Sequence, residues 1–338
     1  MLDVWSEFRS DRMRAVLNML FYIVATSNCL KNRPLIYKPL TSISKFALRS
    51  SLIDGDTVSV PSGLVAIYKP RDWTSSDVVS KVKGILSKGI QSRCGNKRFK
   101  IKVGHGGTLD PLAEGVLVLG IGEGTKLMGD YLAGQKRYQA VAILGSETDT
   151  LDNTGTVTEV VDSSSITLND LDTALAPFRG DIMQVPPMYS ALKRDGKKLY
   201  ELAREGITVE REPRAVTVFA LNLLTEYKES PRLETMRKIE LPSFGLDISS
   251  SGGFYVRSLI SDLAKSRGGR AHMTDLLRIN QGPFDISDCI LEENWNFDAL
   301  CKGILAANLK VELVQGNLKP AAVGIAETTQ TPPTSLST

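Results

Sequence analysis

One histidine, three glycines and one aspartate fall within seven residues, Gly104-His105-Gly106-Gly107-Thr108-Leu109-Asp110, with Pro111 next. A carboxylate can serve as nucleophile, base or proton donor, provided a rigid frame presents it to a substrate. Gly104, Gly106 and Gly107 permit positive φ and close approach of a ligand or second backbone, so the spacing predicts a tight exposed loop and not a strand interior. Asp110-Pro111 also fits an N-cap followed by proline at the first helical position, opening a short turn over Leu112, Ala113 and Glu114; on that reading the aspartate is structural. The run Val116-Leu117-Val118-Leu119, bounded by Gly115 and Gly120, reads as a buried strand, and polar loops carried on such strands often bear function. Arg257 is the second candidate. Val256, Leu259, Ile260 and Leu263 trace an apolar helical stripe, while Arg257, Ser261 and Lys265 share another face. An arginine in a first helical turn opposes the macrodipole and gains from a nearby carboxylate or phosphate; the plain alternative is a solvated surface arginine.

Several chemistries lack their residues. There is no H-x-E with P-C-x-x-C for hydrolytic deamination at zinc. Gly120 to Lys126 lacks the G-K-[ST] ending of a P-loop, and no dinucleotide fingerprint sits between a strand and a helix. Cys29, Cys94, Cys289 and Cys301 form no C-x-x-C pair and only His105 and His272 could assist them, so no metal site is expected and a reducing compartment is the default. One carboxylate, one arginine and tyrosines remain, a set suited to cofactor-free chemistry on a glycosidic bond.

The elements that must position these residues can be read along the chain. Its 338 residues and net charge of +3 suit one sizeable soluble domain with tails, and any nucleic-acid footprint must come from local clustering of charge. Residues 1–60 form a basic extension. From Arg12 to Ile53 there is no acid, while Arg12, Arg14, Lys31, Arg33, Lys38, Lys45 and Arg49 lie among serines and apolar residues, as in a mitochondrial presequence. Its apolar core, Ala15 to Leu30, is too short and polar for a transmembrane helix. A disordered extension is the alternative, so mitochondrial and nuclear or cytoplasmic placement both stay open.

Gly63 to Lys69 reads as a strand ended by Pro70. Thr74 and Asp77 make a capping box for a helix with Val78, Val79, Val82, Ile85 and Leu86 on one face. Lys81 to Val103 holds eight cations, Lys100 and Lys102 among them, and no acid; this is either a solvated basic face or a phosphate-contacting one. Lys136-Arg137-Tyr138 heads a strand through Gly145, with Tyr138 by default a half-buried aromatic. Asp149, Thr150 and Asp152 form a turn with Asx-type hydrogen bonds. A short helix follows Thr167, Pro186 to Ser190 is extended, and a helix lined by Leu199, Leu202 and Ala203 ends at Gly206. Strands are expected at Ala215–Leu224 and Lys238–Ser249. Residues 291–338 read as a tail, largely irregular from Lys319.

The string GHGGTLDPLAEGVL at 104–117 resembles the G-H-x-G-x-L-D-P-x-A-x-G-[VM]-L signature of the TruB family of pseudouridine synthases. Further family motifs occur in order: Gly63-Leu64 with Lys69-Pro70 and Thr74-Ser75, Lys136-Arg137-Tyr138, Asp149 to Asp152, Pro186 to Ala191, Gly196 to Gly206, Ser251 to Arg257 and Gly282-Pro283-Phe284. The resemblance covers residues 61–290. It implies an α+β pseudouridine synthase fold, a mixed, mainly antiparallel sheet flanked by helices, with an RNA-binding cleft and no cofactor. It further implies that the T-loop uridine of tRNA is isomerised by detaching uracil from C1′ and rejoining it through carbon. Asp110 would be the catalytic carboxylate, as nucleophile or base, paired with Arg257. Tyr138 would stack on the base and take the surplus proton, Tyr255 would lie under the base, and His105 would fill the gap left by the extruded nucleotide. Lys69 with Pro70 would support the loop, and Lys100, Lys102, Lys136 and Arg137 would face RNA.

The implied partner is the T arm of tRNA, with mRNA as a further substrate class, no membrane and no obligatory protein partner, the chain acting as a monomer. Leu277-Arg278-Ile279-Asn280-Gln281 departs from the paired arginines that family members often carry before Gly-Pro-Phe, which bears on the grip on RNA. No accessory RNA-binding domain is visible past Ile290, which fits the stand-alone eukaryotic branch. A guide-RNA-dependent enzyme and an RNA-folding chaperone are the alternatives.

Overall fold

The computed structural model describes residues 62–94, 100–228 and 236–316. Of these, 62–308 belong to one compact unit and 309–316 to a second. The basic extension and the tail from Lys319 lie outside the described residues. The first half of the chain supplies β1 (Gly63–Lys69), α1 (Ser75–Cys94), β2 (Val103–His105), β3 (Glu114–Ile121), α2 (Met128–Ala133), β4 (Lys136–Leu144) and α3 (Leu168–Ala174). The second half supplies β5 (Gly180–Gln184), α4 (Leu199–Arg204), β6 (Arg214–Leu224), β7 (Ser243–Ser250), α5 (Val256–Lys265), β8 (Ala271–Gln281), β9 (Phe284–Asp285) and α6 (Phe297–Val314).

The nine strands form one sheet in the order β1-β3-β8-β4-β7-β6-β5, with β2 added to β3 and β9 to β8. Only β3 and β8 pair in parallel, through Glu114 with Leu277 and Gly115 with Arg278; the other pairings are antiparallel. The chain is thus an α+β protein with a mixed, mainly antiparallel sheet flanked by helices. β1 and β3 are almost wholly apolar, GLVAIYK and EGVLVLGI, because both of their faces are covered. β4 alternates buried with half-buried or exposed residues, as a strand with one wetter face does.

Two apolar clusters fix the helices. Val78, Val82 and Leu86 of α1 and Leu300 and Ile304 of α6 join Val65, Ile67, Leu117 and Leu119 of the β1–β3 pair. Leu259, Ile260 and Leu263 of α5 join Ala140, Ala142, Leu246 and Ile248 of β4 and β7. The expected capping box opens α1: Asp77 N–H donates to Thr74 Oγ1 at 3.1 Å and Thr74 N–H to Asp77 Oδ2 at 2.9 Å. No helix among the described residues is long and apolar enough to cross a membrane.

Local patterns misled at four places. Gly104 and His105 are not loop residues but part of β2, paired with Gly120 and Leu119; of the three loop glycines only Gly107 has positive φ. Asp110-Pro111 caps no helix. Ala113 N–H closes a single turn on the Asp110 carbonyl at 3.0 Å and the chain runs directly into β3, whose pairing with β1 outweighs the capping preference. The strand expected over Lys238–Ser249 is split: Arg237–Lys238 pairs with Glu226–Tyr227, and β7 begins at Ser243. α6 went unread, although Phe297, Leu300, Cys301 and Ile304 recur at helical spacing.

Gly115 marks where β3 meets β8. Its φ is +107°, and a Cβ there would lie 2.3 Å from the Arg278 carbonyl oxygen. Gly115→Ala is therefore expected to destabilise the fold by more than the ~1–3 kcal/mol of backbone strain alone, read as a lower urea midpoint at unchanged slope.

Candidate active site

Asp110 sits on the short segment between β2 and β3, and Arg257 lies in the first turn of α5. Arg257 Nη2 is 2.8 Å from Asp110 Oδ2, so residues 147 positions apart in sequence form an ion pair. The two ends differ in environment. The Arg257 side chain is 5 % exposed and that of Asp110 34 %, so the guanidinium is buried structure while the carboxylate still faces an accessible surface. Arg257 also donates to the carbonyls of Thr150 at 2.7 Å and Tyr189 at 2.9 Å, and the buried Asp152 carboxylate stands 3.7 Å from Nη1. A solvated surface arginine is the reading this overturns. Asp152 makes the expected Asx-type hydrogen bond, accepting from Thr154 N–H at 3.0 Å, and its buried carboxylate turns toward Arg257.

Buried cations brace the Asp110 segment from beneath. Lys69 Nζ, at the end of β1, donates to the carbonyls of Pro70 at 2.7 Å, Trp73 at 2.5 Å and Pro111 at 3.1 Å, tying the residue after Asp110 to the sheet. Burial lowers the Lys69 amine to about 8, with Glu114 and Asp110 acting in the opposite sense. Ser75 Oγ accepts from Leu109 N–H at 2.8 Å and donates to its carbonyl at 3.1 Å. Arg278, 1 % exposed, donates Nε–H to the Val116 carbonyl at 2.7 Å and Nη2–H to that of Gly107 at 3.1 Å. Its charge also acts on the Tyr138 phenol.

The other expected site residues divide by burial. Tyr138, 7 % exposed on β4, has its phenol pushed above the ordinary range by burial, with Arg278 opposing. Tyr255 immediately precedes α5 and is half-buried; burial raises its phenol too. His105 is half-buried at the end of β2, and burial, followed by the charge of Arg278, holds its imidazole below the ordinary range. Lys100 and Lys102 are exposed. Lys136 was expected to face RNA, and here the structure corrects the sequence: its ammonium is buried beneath α2, donating to the carbonyls of Tyr131 at 2.8 Å, Leu132 at 2.9 Å and Gly134 at 2.7 Å. Burial and then Arg278 pull its amine down to about 7, against three acceptors that favour the ammonium. Arg137 is exposed but committed to Asp247 across β4 and β7, Nε to Oδ1 at 2.8 Å and Nη2 to Oδ2 at 2.5 Å. Among the described residues no group of three or more His, Cys, Asp or Glu could hold a metal ion.

The site thus joins an accessible carboxylate to a buried guanidinium, with three aromatic or heterocyclic side chains near the same loops. Comparison with known proteins states what kind of site this is. A model of the N-terminal domain of TruB family pseudouridylate synthase matches residues 95–256. Human pseudouridylate synthase TRUB1 is 42 % identical over 268 residues, 78 % of this chain and 71 % of that protein. The chain belongs to the TruB family. The tRNA pseudouridine synthase B of Stutzerimonas stutzeri (strain A1501) is 41 % identical over 232 residues, 69 % of this chain and 68 % of that one. Among solved structures, a chain from the crystal structure of a Cbf5-Nop10-Gar1 complex aligns with TM-score 0.50 and 24 % identity, covering 74 % of this chain and 61 % of that one, which supports the fold alone.

For this TruB family enzyme, Arg278 and Gln281 are the site-building residues that sequence reasoning missed. Arg278 stands inside a strand between Leu277 and Ile279, the one cue available, since an arginine in such a run must find buried acceptors. Arg278→Met would strand the carbonyls of Gly107 and Val116 and remove the charge that opposes burial at the Tyr138 phenol. Expected are a loss of about 2–6 kcal/mol in chemical denaturation, at ~1–3 kcal/mol for each of the two buried unpaired carbonyls, and loss of pseudouridine formation under conditions where the variant is still folded.

Proposed function

We propose that this pseudouridine synthase isomerises the T-loop uridine of tRNA, acting alone and without a cofactor. The observation that carries the reading is the 2.8 Å contact between the half-open Asp110 carboxylate and the buried Arg257 guanidinium, within the family's own motif. The relatives named tRNA pseudouridine synthase B and TRUB1 support it.

In this reading the target uridine leaves the RNA stack, a cost of a few kcal/mol, and His105 occupies the gap. Uracil lies between Tyr138 and Tyr255, where stacking contributes about 1–3 kcal/mol per base. Asp110 acts on the ribose, as nucleophile at C1′ or as base, and the N1–C1′ bond breaks. The base rotates, C5 bonds to C1′, the proton on C5 departs and N1 regains a proton, so the reaction is an isomerisation with no atoms gained or lost. For Tyr138 to collect the C5 proton it must first release its own, which burial disfavours and Arg278 favours. Lys100 and Lys102 supply phosphate contacts beside the site, while Lys69 and Lys136 act from within as braces.

Asp110→Asn, compared with wild type on an unmodified tRNA transcript at one salt concentration, is expected to bind RNA within about twofold of wild type and to lose product formation by at least ~10³-fold. Wild-type binding without product would reject the stand-alone enzyme in favour of a guide-dependent or chaperone role.

A further inference from the structure

Gly106 occupies the place where the β2–β3 ladder should continue. The pairs run Val103 with Ile121, Gly104 with Gly120 and His105 with Leu119, so the next rung joins Gly106 to Val118. Half of that rung forms directly, Gly106 N–H donating to the Val118 carbonyl at 3.0 Å. The other half passes through a side chain: Val118 N–H donates to Gln281 Oε1 at 3.0 Å, and Gln281 Nε2–H donates to the Gly106 carbonyl at 2.7 Å. A primary amide carries the donor and acceptor of a peptide unit, so it can satisfy both backbone groups while spreading them apart.

Gln281 is fully buried, at 0 % exposure, and ends β8. It stands at a fork on one edge of β3, where β8 pairs Glu114 and Gly115 and β2 pairs Leu119 to Ile121. Arg278, three residues earlier, makes a second surrogate rung between the carbonyls of Val116 and Gly107. Little slack exists at this point, since a Cβ on Gly106 would fall 2.4 Å from the Tyr131 Cβ. Two side chains of β8 therefore stand where backbone pairing would otherwise zip the segment onto β3.

We propose that Gln281 is a positioning residue for the reaction: its amide, wedged into the β2–β3 ladder, sets the course on which Gly106 to Asp110 leaves the sheet. It thereby fixes His105 and Asp110 relative to Arg257. Gln281 acts through the backbone of Gly106 and Val118. The proposal rests on the reading of Asp110 as the reacting carboxylate.

The test uses the full chain with Gln281→Met and Gln281→Glu, assayed on unmodified tRNA transcript well below the unfolding temperature, with hydrogen exchange followed at 104–110 and 116–120. Gln281→Met, which removes both ends of the relay, is expected to lower kcat by ~10–100-fold with KM within about twofold, and to speed exchange at 106–110. Gln281→Glu keeps the acceptor for Val118 N–H and loses the donor to Gly106; kcat should fall while exchange at 116–120 stays slow. Wild-type kcat in both variants, or losses that match the loss of folded protein, would overturn the proposal. If wild type forms no pseudouridine, the reading of Asp110 fails instead, and exchange alone decides: faster at 106–110 in Gln281→Met supports the wedge, unchanged overturns it.

Discussion

A buried guanidinium must be paired on every side it presents, and Arg257 imposes that constraint on three separate loops. Taking such a charge out of water costs several kcal/mol unless carboxylates and carbonyls replace the lost hydration. The replacements come from Asp110 between β2 and β3, from Thr150 and Asp152 in the loop that joins the paired strands Ser146–Thr148 and Val157–Val160, and from the Tyr189 carbonyl. Each loop is held by its duty to the same side chain. Of these partners Asp110 is the carboxylate left part-open, at 34 % exposed against 6 % for Asp152. The arginine therefore both anchors the site and orients the carboxylate that stays part-open.

The cost of this arrangement is visible in the backbone. Leu151 has φ of +61°, a conformation that leucine rarely adopts and that costs of order 1–3 kcal/mol. Its position explains the cost, because the residues on either side direct the Thr150 carbonyl and the Asp152 carboxylate at Arg257. Packing and pairing hold it there: Leu151 N–H donates to the Thr148 carbonyl at 3.1 Å and its own carbonyl accepts from Met273 N–H at 3.1 Å. Further along the same face of α5, Ser261 and Lys265 both reach Glu147 of that hairpin. The face of Arg257, Ser261 and Lys265 is thus a continuous polar seam that fixes the helix against the loop.

Below the Asp110 carboxylate the same logic runs with lysine and arginine inside the fold. Lys69, Lys136 and Arg278 each direct their protons at carbonyls that no ladder or helix satisfies. Lys136 does so for the last carbonyls of α2, a short helix followed by Gly134. A cationic residue beside the signature motif is easily read as a phosphate ligand; here Lys69, Lys136 and Arg278 are cross-braces.

The sequence by itself determined the chemistry and the local elements. The spacing of Gly104 to Leu117 names the carboxylate, the run Val116–Leu119 its strand, Thr74 and Asp77 the start of α1, and the stripe from Val256 the helix that carries Arg257. These are signals within a few residues, where periodicity and capping act. Only the tertiary structure decided which charges are buried and what they hold: that Arg257, the partner the family resemblance implies for Asp110, is sunk below the surface, that Lys136 turns inward, that Arg278 and Gln281 replace backbone rungs. Burial and pairing between residues more than a hundred positions apart leave no trace in local pattern. They follow from which strands lie side by side and from the requirement that every polar group removed from water be met by another.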